Sequence, residues 1–180
     1  MTNIALPNSI PPVFRAIIPH VRHQEGLCPT FEYLLLKRSP TADRDKDQFE
    51  CPGGVAQPTE MNPLQTYIRE TFEETGLKVT RVVQEIFSYE VPYAIDGSFA
   101  AGLVRKVHFA IVEVLPPFVI VLSSEHVDSA WMTIDEILRT PMEHIRRGSA
   151  RAIILADRSV LTPRFLAAEQ KKMSANRLAL

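Results

Sequence analysis

The alternation of apolar and polar positions predicts strands at both ends of a central helix. Val13 to Ile18 reads as a first strand and Phe31 to Lys37 as a second, rich in aromatic and aliphatic side chains. The charged link from Ser39 to Gln48, with Asp43, Arg44, Asp45, Lys46 and Asp47, reads as a solvated loop. Phe49 to Cys51 reads as a short strand that Pro52, Gly53 and Gly54 stop. A helix follows with marked boundaries: Asn62 suits the N-cap, Pro63 the first helical position and Gly76 the residue past the end. Between them Leu64, Tyr67, Ile68, Thr71 and Thr75 recur at helical spacing, so that side is expected to face the core. Val79 to Phe87 and Lys106 to Leu115 read as strands, with Ser88 to Arg105 between them part strand and part loop. Val119 to Leu122 is a further strand candidate. Thr133 with Glu136 three residues on forms a capping box for a short helix that Pro141 ends. The tail from Met142 reads as helical in pieces. The pattern is that of a layered α/β or α+β domain, whose strand order it does not reveal.

Length changes this picture little: 180 residues suit one domain with one substantial core. A formal net charge of -1 excludes bulk electrostatic capture of nucleic acid or of an anionic membrane, so an anionic substrate needs local groups or a metal. Two cysteines, Cys28 and Cys51, lack metal-type spacing and make a disulfide framework unexpected; a reducing cytoplasm fits. Met1 to Pro12 has no basic region followed by an apolar stretch, so no signal peptide is expected there. The apolar run from Val107 to Leu122 is broken by His108, Glu113 and Pro116-Pro117 and is not a membrane span.

The candidate chemistry lies on the central helix. Glu70, Glu73 and Glu74 stand at i, i+3 and i+4 and share a face, expected to lie opposite the Leu64/Ile68/Thr71 stripe. Three like charges repel one another. Arg69, four residues before Glu73, offsets part of this, and a hard divalent cation would offset it better. Taken alone, a glutamate-rich helix is an ordinary solvated face and a glycine pair an ordinary turn; their nearness to each other is what favours a site.

Taken together the segment resembles the Nudix (MutT-like) hydrolase signature: glycine, five residues, glutamate, seven residues, then Arg-Glu-(apolar)-x-Glu-Glu-x-Gly-(apolar). The second half reads Arg69-Glu70-Thr71-Phe72-Glu73-Glu74-Thr75-Gly76-Leu77 and matches at every polar position, with Thr71 where an apolar residue is usual. Five residues separate Gly54 from Glu60, but eight rather than seven separate Glu60 from Arg69. Pro63 fixes the helix register, which puts the extra residue in the loop before Asn62 and leaves the part of Glu60 open. Phe31 to Arg38 resembles the strand that precedes this box. Val121 to Leu138, with Leu122-Ser123-Ser124-Glu125-His126, Trp131 and Asp135-Glu136-Ile137-Leu138, resembles a downstream segment. The resemblance spans about residues 13–138 of a single expected domain over 1–180, with 139–180 as a C-terminal helical extension.

The resemblance implies a Nudix fold, a mixed β-sheet sandwiched between α-helices. It also implies hydrolysis of the diphosphate linkage in a nucleoside diphosphate joined to another moiety. Glu70, Glu73 and Glu74 would hold Mg²⁺ or Mn²⁺, with the Gly54 carbonyl as a further ligand. Arg69 would orient a glutamate, foremost Glu73. Family members take the proton from water with a box glutamate or with one on a downstream loop, for which Glu125 is the candidate here. Lys37 and Arg38 at a strand end are candidate phosphate ligands.

The remaining residues have bland readings beside sharper ones. His126 reads as a partly exposed loop histidine and Trp131 as a core anchor. Tyr89, Tyr93 and Phe99 read as core packing, with ring stacking second. Arg146, Arg147 and Arg151 read as a solvated helix face. The expected partner is a small nucleotide, a nucleoside triphosphate or an ADP-sugar, with no nucleic acid and no membrane; a homodimer stays open. The alternatives are a Nudix-fold nucleotide-binding or regulatory module without turnover and, lower, an isoprenyl diphosphate isomerase.

Overall fold

The computed structural model describes residues 10–23, 29–42, 45–95, 98–164 and 167–168, with backbone alone for 94–95 and 98–102. Cys28, Asp43, Arg44 and the side chain of Phe99 lie outside the described residues. So do residues 1–9, most of the segment read for a signal peptide. The chain folds into two compact units, Met1–Ala16 with Pro52–Ser123, and Ile17–Cys51 with Ser124–Leu180.

The first unit is built on a four-stranded sheet in the order β5-β1-β7-β6, with β1 Val13–Ile17, β5 Gly53–Val55, β6 Val79–Ile95 and β7 Ser98–Val114. Phe14 pairs with Gly54 and Arg15 with Gly53, so β1 fixes the glycine pair in an antiparallel ladder. A strand at Gly53–Val55 is absent from the sequence reading, which ends the strand at Cys51; the glycines form a separate strand on β1, and Gly53 allows the close approach of the Phe14 carbonyl. Helix α1 spans Pro63–Thr75 with the expected caps: the Asn62 side chain accepts from the Gln65 N–H, and Gly76 adopts φ 73° while its N–H donates to the Phe72 carbonyl. Its inward face keeps Tyr67, Thr71 and Thr75 of the expected stripe but not Ile68. Thr66, Tyr67, Thr71, Glu74 and Thr75 are buried, whereas Ile68 and Phe72 are exposed. The helix is turned so that Glu74 faces the glycine strand.

Two further expectations for this unit are corrected. Ser88 to Arg105 is almost wholly strand, since β6 and β7 form one antiparallel hairpin of 17 residues a side. Val119 to Leu122 is not a strand: it runs past the end of α1, where the Val121 N–H donates to the Thr75 carbonyl and the Ser123 N–H to that of Glu74. Those bonds satisfy carbonyls that every helix end leaves open.

The second unit centres on β3, Thr30–Arg38, whose Tyr33, Leu34, Leu35 and Leu36 are fully buried. It pairs antiparallel with β2 (Pro19–Arg22), β4 (Phe49–Glu50) and β8 (His126–Thr133). α2, Ile134–Arg139, opens on the expected capping box, with the Thr133 side chain and Glu136 bonded reciprocally. α3, Arg147–Ala156, buries Ala150, Ala152 and Ile153 and continues into a π-helical turn, Asp157–Leu161. A parallel bridge, Phe49 to Ile145, ties β4 to the segment before α3. The α+β class with mixed strand pairing agrees with the expectation. Among the described residues no helix is long and apolar enough to cross a membrane.

Candidate functional site

In the first unit the helix carboxylates and the glycine strand are fitted to each other. The buried Glu74 accepts from the Gly53 N–H at 2.7 Å. A Cβ on Gly54 would collide with the Glu70 carboxylate, and one on Gly53, at φ +138°, with the Phe14 carbonyl. Gly53 therefore needs to be glycine for its backbone conformation, whereas Gly54 leaves space for the end of a movable carboxylate side chain.

Arg69 is the hub of this cluster. Its Nε donates to Glu60 at 2.7 Å, one terminal nitrogen to Glu70 at 2.6 Å and to Glu73 at 3.1 Å, and the other to the Val55 carbonyl at 2.9 Å. The sequence favours Glu73 as its partner; the shorter bonds go to Glu60 and Glu70. Glu60 thus joins the cluster despite the longer loop, because Met61, 90 % exposed, is carried out into solvent. Burial pushes the Glu60 carboxyl up, but bonds from Arg69, Thr66 and the Gln57 N–H outweigh it and hold the pKa at about 2. Glu70 moves the other way: burial raises its pKa, reinforced by Glu73, and the Arg69 bond only partly offsets this. Arg69 itself is held above its ordinary value, chiefly by the bond to Glu60. One guanidinium facing three carboxylates leaves an excess of negative charge.

That excess frames the question of a metal. Among the described residues no three Asp, Glu, His or Cys side chains surround a common point. Glu70 and Glu73 turn to Arg69, and Glu74 turns to the Gly53 N–H. The donor set nevertheless fits a hard divalent cation: it is all oxygen, lies within two turns of one helix, and includes a desolvated carboxylate that a cation would relieve.

The second unit holds the other predicted residues in a different arrangement. Arg38 donates to the fully buried Glu50 at 2.9 Å, and Arg146 donates to the same carboxylate at 2.7 Å while standing 3.3 Å from Asp45. His126 Nε2 lies 3.8 Å from Glu50. Two expectations are corrected: His126 is buried on β8, not half-exposed on a loop, and Arg146 is an ion-pair partner, not part of a solvated face. Arg147 and Arg151 are exposed as expected. Lys37 stands 3.9 Å from Asp47 at the surface. Arg38, Ser39, Thr41, Ala42, Ser124 and Glu125 line an open cavity of ≈ 340 Å³, which brings two of the predicted residues, Arg38 and Glu125, to one wall. Trp131 is half-buried with its ring tilted against His20 at 5.5 Å. In the first unit, Tyr89 packs on Phe87 and Phe109, and the Arg105 guanidinium lies 4.6 Å above the Tyr93 ring. Sequence reasoning missed Glu50. Its only local signal is a carboxylate placed between Phe49 and Cys51 in an apolar strand directly before the glycine pair.

Comparison with known proteins fits this geometry. No curated protein sequence matches the chain. Solved structures do. The E. coli ORF135 protein is 23% identical with a TM-score of 0.55, over 85% of this chain and 94% of its own. A NUDIX hydrolase from Nitrosomonas europaea is 23% identical with a TM-score of 0.55, over 79% and 85%. The NUDIX domain of Shewanella oneidensis NrtR, in complex with ADP ribose, is 13% identical with a TM-score of 0.59, over 87% and 91%. At these identities the likeness is one of fold. The NUDIX domain model matches residues 16–153, which takes in the glycine strand, the whole of α1 and the Glu50 cluster, and the chain therefore belongs to the NUDIX domain family.

Proposed function

We propose that this protein is a divalent-metal-dependent pyrophosphohydrolase, acting in the cytoplasm on the diphosphate linkage of a nucleoside diphosphate joined to another moiety. The observation that carries the reading is the Arg69 cluster. A fold without chemistry has little need to gather Glu60, Glu70 and Glu73 around a single guanidinium, with Glu74 of the same helix held on the Gly53 N–H.

Glu70, Glu73 and Glu74, with the Gly54 carbonyl, would hold Mg²⁺ or Mn²⁺. Such a cation, when bound, would neutralise the diphosphate oxygens and the charge that develops on the leaving group. The chain's own part is positional and acid–base. Glu60 keeps Arg69 in place, and Arg69 sets the rotamers of Glu70 and Glu73. Glu70, with its pKa raised by burial, is suited to take a proton from the attacking water. Glu125 belongs to the other unit, and its part as proton acceptor rests on the family resemblance alone. Residues 1–180 are read as one Nudix domain, in line with the family match across residues of both units.

For the substrate, nucleoside triphosphates and ADP-sugars are the two classes to test, the second because a fold neighbour is complexed with ADP ribose. A hydrolysis panel with Mg²⁺ or Mn²⁺ at alkaline pH should release a monophosphate, and Glu73→Gln should abolish turnover with the fold intact. Full activity in that variant, or no turnover of any substrate by folded wild-type protein, overturns the reading. The second reading, a nucleotide-binding module without turnover, is favoured by one observation: Arg69 already occupies Glu70 and Glu73. Tight nucleotide binding without product would establish it.

A further inference from the structure

We infer that Thr66 is a positioning residue of the helix cluster: its buried hydroxyl fixes Glu60, and through Glu60 it aims the Arg69 guanidinium at Glu70 and Glu73. The inference rests on the reading above that these helix carboxylates hold a divalent cation.

Glu60 stands at the end of a loop one residue longer than the signature it resembles, so chain length does not by itself return its carboxylate to Arg69. Side-chain bonds do. Oε1 accepts from Arg69 Nε at 2.7 Å. Oε2 accepts from the Gln57 N–H at 2.7 Å, from Thr66 Oγ1 at 2.7 Å and from an Arg69 terminal nitrogen at 3.4 Å. Gln57 lies on the same loop as Glu60, whereas Thr66 ties the carboxylate to α1 itself, about one turn before Arg69. Thr66 is buried, and a threonine inside a helix commonly returns its hydroxyl to the carbonyl four residues earlier, as Thr75 does to Thr71. The Thr66 hydroxyl is given to Glu60 instead. A carboxylate as enclosed as that of Glu60, whose side chain is 9 % exposed, has little water to replace a lost donor. The guanidinium is planar with a fixed fork of donors, so a carboxylate set on its Nε side decides where the other side points. That other side meets Glu70 at 2.6 Å and Glu73 at 3.1 Å. The path from Thr66 to the carboxylates therefore runs through three successive side-chain bonds, all within the first unit.

The experiment compares Thr66→Val, which keeps the shape and removes the hydroxyl, with Thr66→Ser, which keeps the hydroxyl, after a thermal melt on each. The first readout needs neither metal nor substrate: the Arg69 Nε–H signal in the proton–nitrogen NMR spectrum of metal-free protein, assigned by its absence from Arg69→Lys. The signal should be protected from solvent exchange in wild type and in Thr66→Ser, and should lose that protection in Thr66→Val. The second readout is Mn²⁺ titration followed by electron paramagnetic resonance. Thr66→Val should weaken binding about tenfold, and Thr66→Ser should recover most of it. An unchanged Arg69 signal or unchanged Mn²⁺ affinity in Thr66→Val overturns the inference. So does a Thr66→Ser variant as impaired as Thr66→Val, because the loss would then belong to packing and not to the hydroxyl. If folded wild type binds no Mn²⁺, the reading of a cation site fails by itself, and the Arg69 signal alone decides whether Thr66 positions the guanidinium.

Discussion

The two units each carry a charged cluster, and the clusters are inverses. In one, a single guanidinium, Arg69, serves Glu60, Glu70 and Glu73; in the other, a single carboxylate, Glu50, serves Arg38 and Arg146. The first is left with surplus negative charge, whereas in the second Arg146 also lies 3.3 Å from Asp45, so two carboxylates face two guanidiniums. Glu60 and Glu70 are largely buried, where screening by solvent is weak, whereas Glu73 is exposed. The lesson is that one ion can gather several partners of opposite charge from distant parts of the chain.

The comparison can be broken most sharply at the glycine strand. Gly54→Ala places a Cβ against the Glu70 carboxylate, so Glu70 must swing away while the backbone is spared. Activity should fall about a hundredfold with near-normal thermal stability, read by kinetics and a melt on the same sample. Retained activity would show that the contact is incidental.

The next largest effect is on stability and separates the two hubs. Glu50→Leu leaves two guanidiniums facing a buried apolar group and should cost about 3 kcal/mol. Glu60→Leu leaves Arg69 with two carboxylates and should cost less, about 1 kcal/mol. Denaturant unfolding measures both, and equal losses would contradict the asymmetry.

Acid should act on the first cluster. The folded-state pKa of Glu60 lies below its unfolded value of 4.5, so its contribution is fully present above that pH and is lost as pH falls toward about 2. In Glu60→Gln the fall in stability across this window should be shallower than in wild type. Parallel curves would show that the Arg69 bonds do not hold the carboxyl down.

The smallest effect concerns Thr71, which is fully buried with a hydroxyl that makes no hydrogen bond among the described residues. Thr71→Val keeps the shape and removes that hydroxyl. It should stabilise the fold by about 1 kcal/mol and leave turnover unchanged.

What the sequence made legible was local chemistry. Asn62, Pro63 and Gly76 bound α1 because capping depends on side chains within a few residues, and the Thr133–Glu136 box was readable for the same reason. The face of α1 was legible in part: Tyr67, Thr71 and Thr75 are buried as expected, and Ile68 is not. An apolar stripe including Ile68 would turn Glu74 away from the core, whereas Glu74 is buried on the Gly53 N–H, and hydrophobicity alone cannot register that bond. Val119 to Leu122 has strand composition, yet its backbone is used by the end of α1. The roles of His126 and Arg146 were hidden because their common partner, Glu50, is 76 and 96 positions away in the chain. In the same way, counting residues left Glu60 open, where three-dimensional space shows Met61 looped out and the carboxylate returned to Arg69.

The central claim is that the surplus carboxylates around Arg69 are a cation site, and titration of Mn²⁺ into the metal-free protein, followed by electron paramagnetic resonance, tests it most directly. The account predicts saturable binding by wild type that weakens at least about tenfold in Glu70→Gln and in Glu74→Gln and is unchanged in Glu50→Gln. No saturable binding by folded wild type, or equal binding in all three variants, would contradict it.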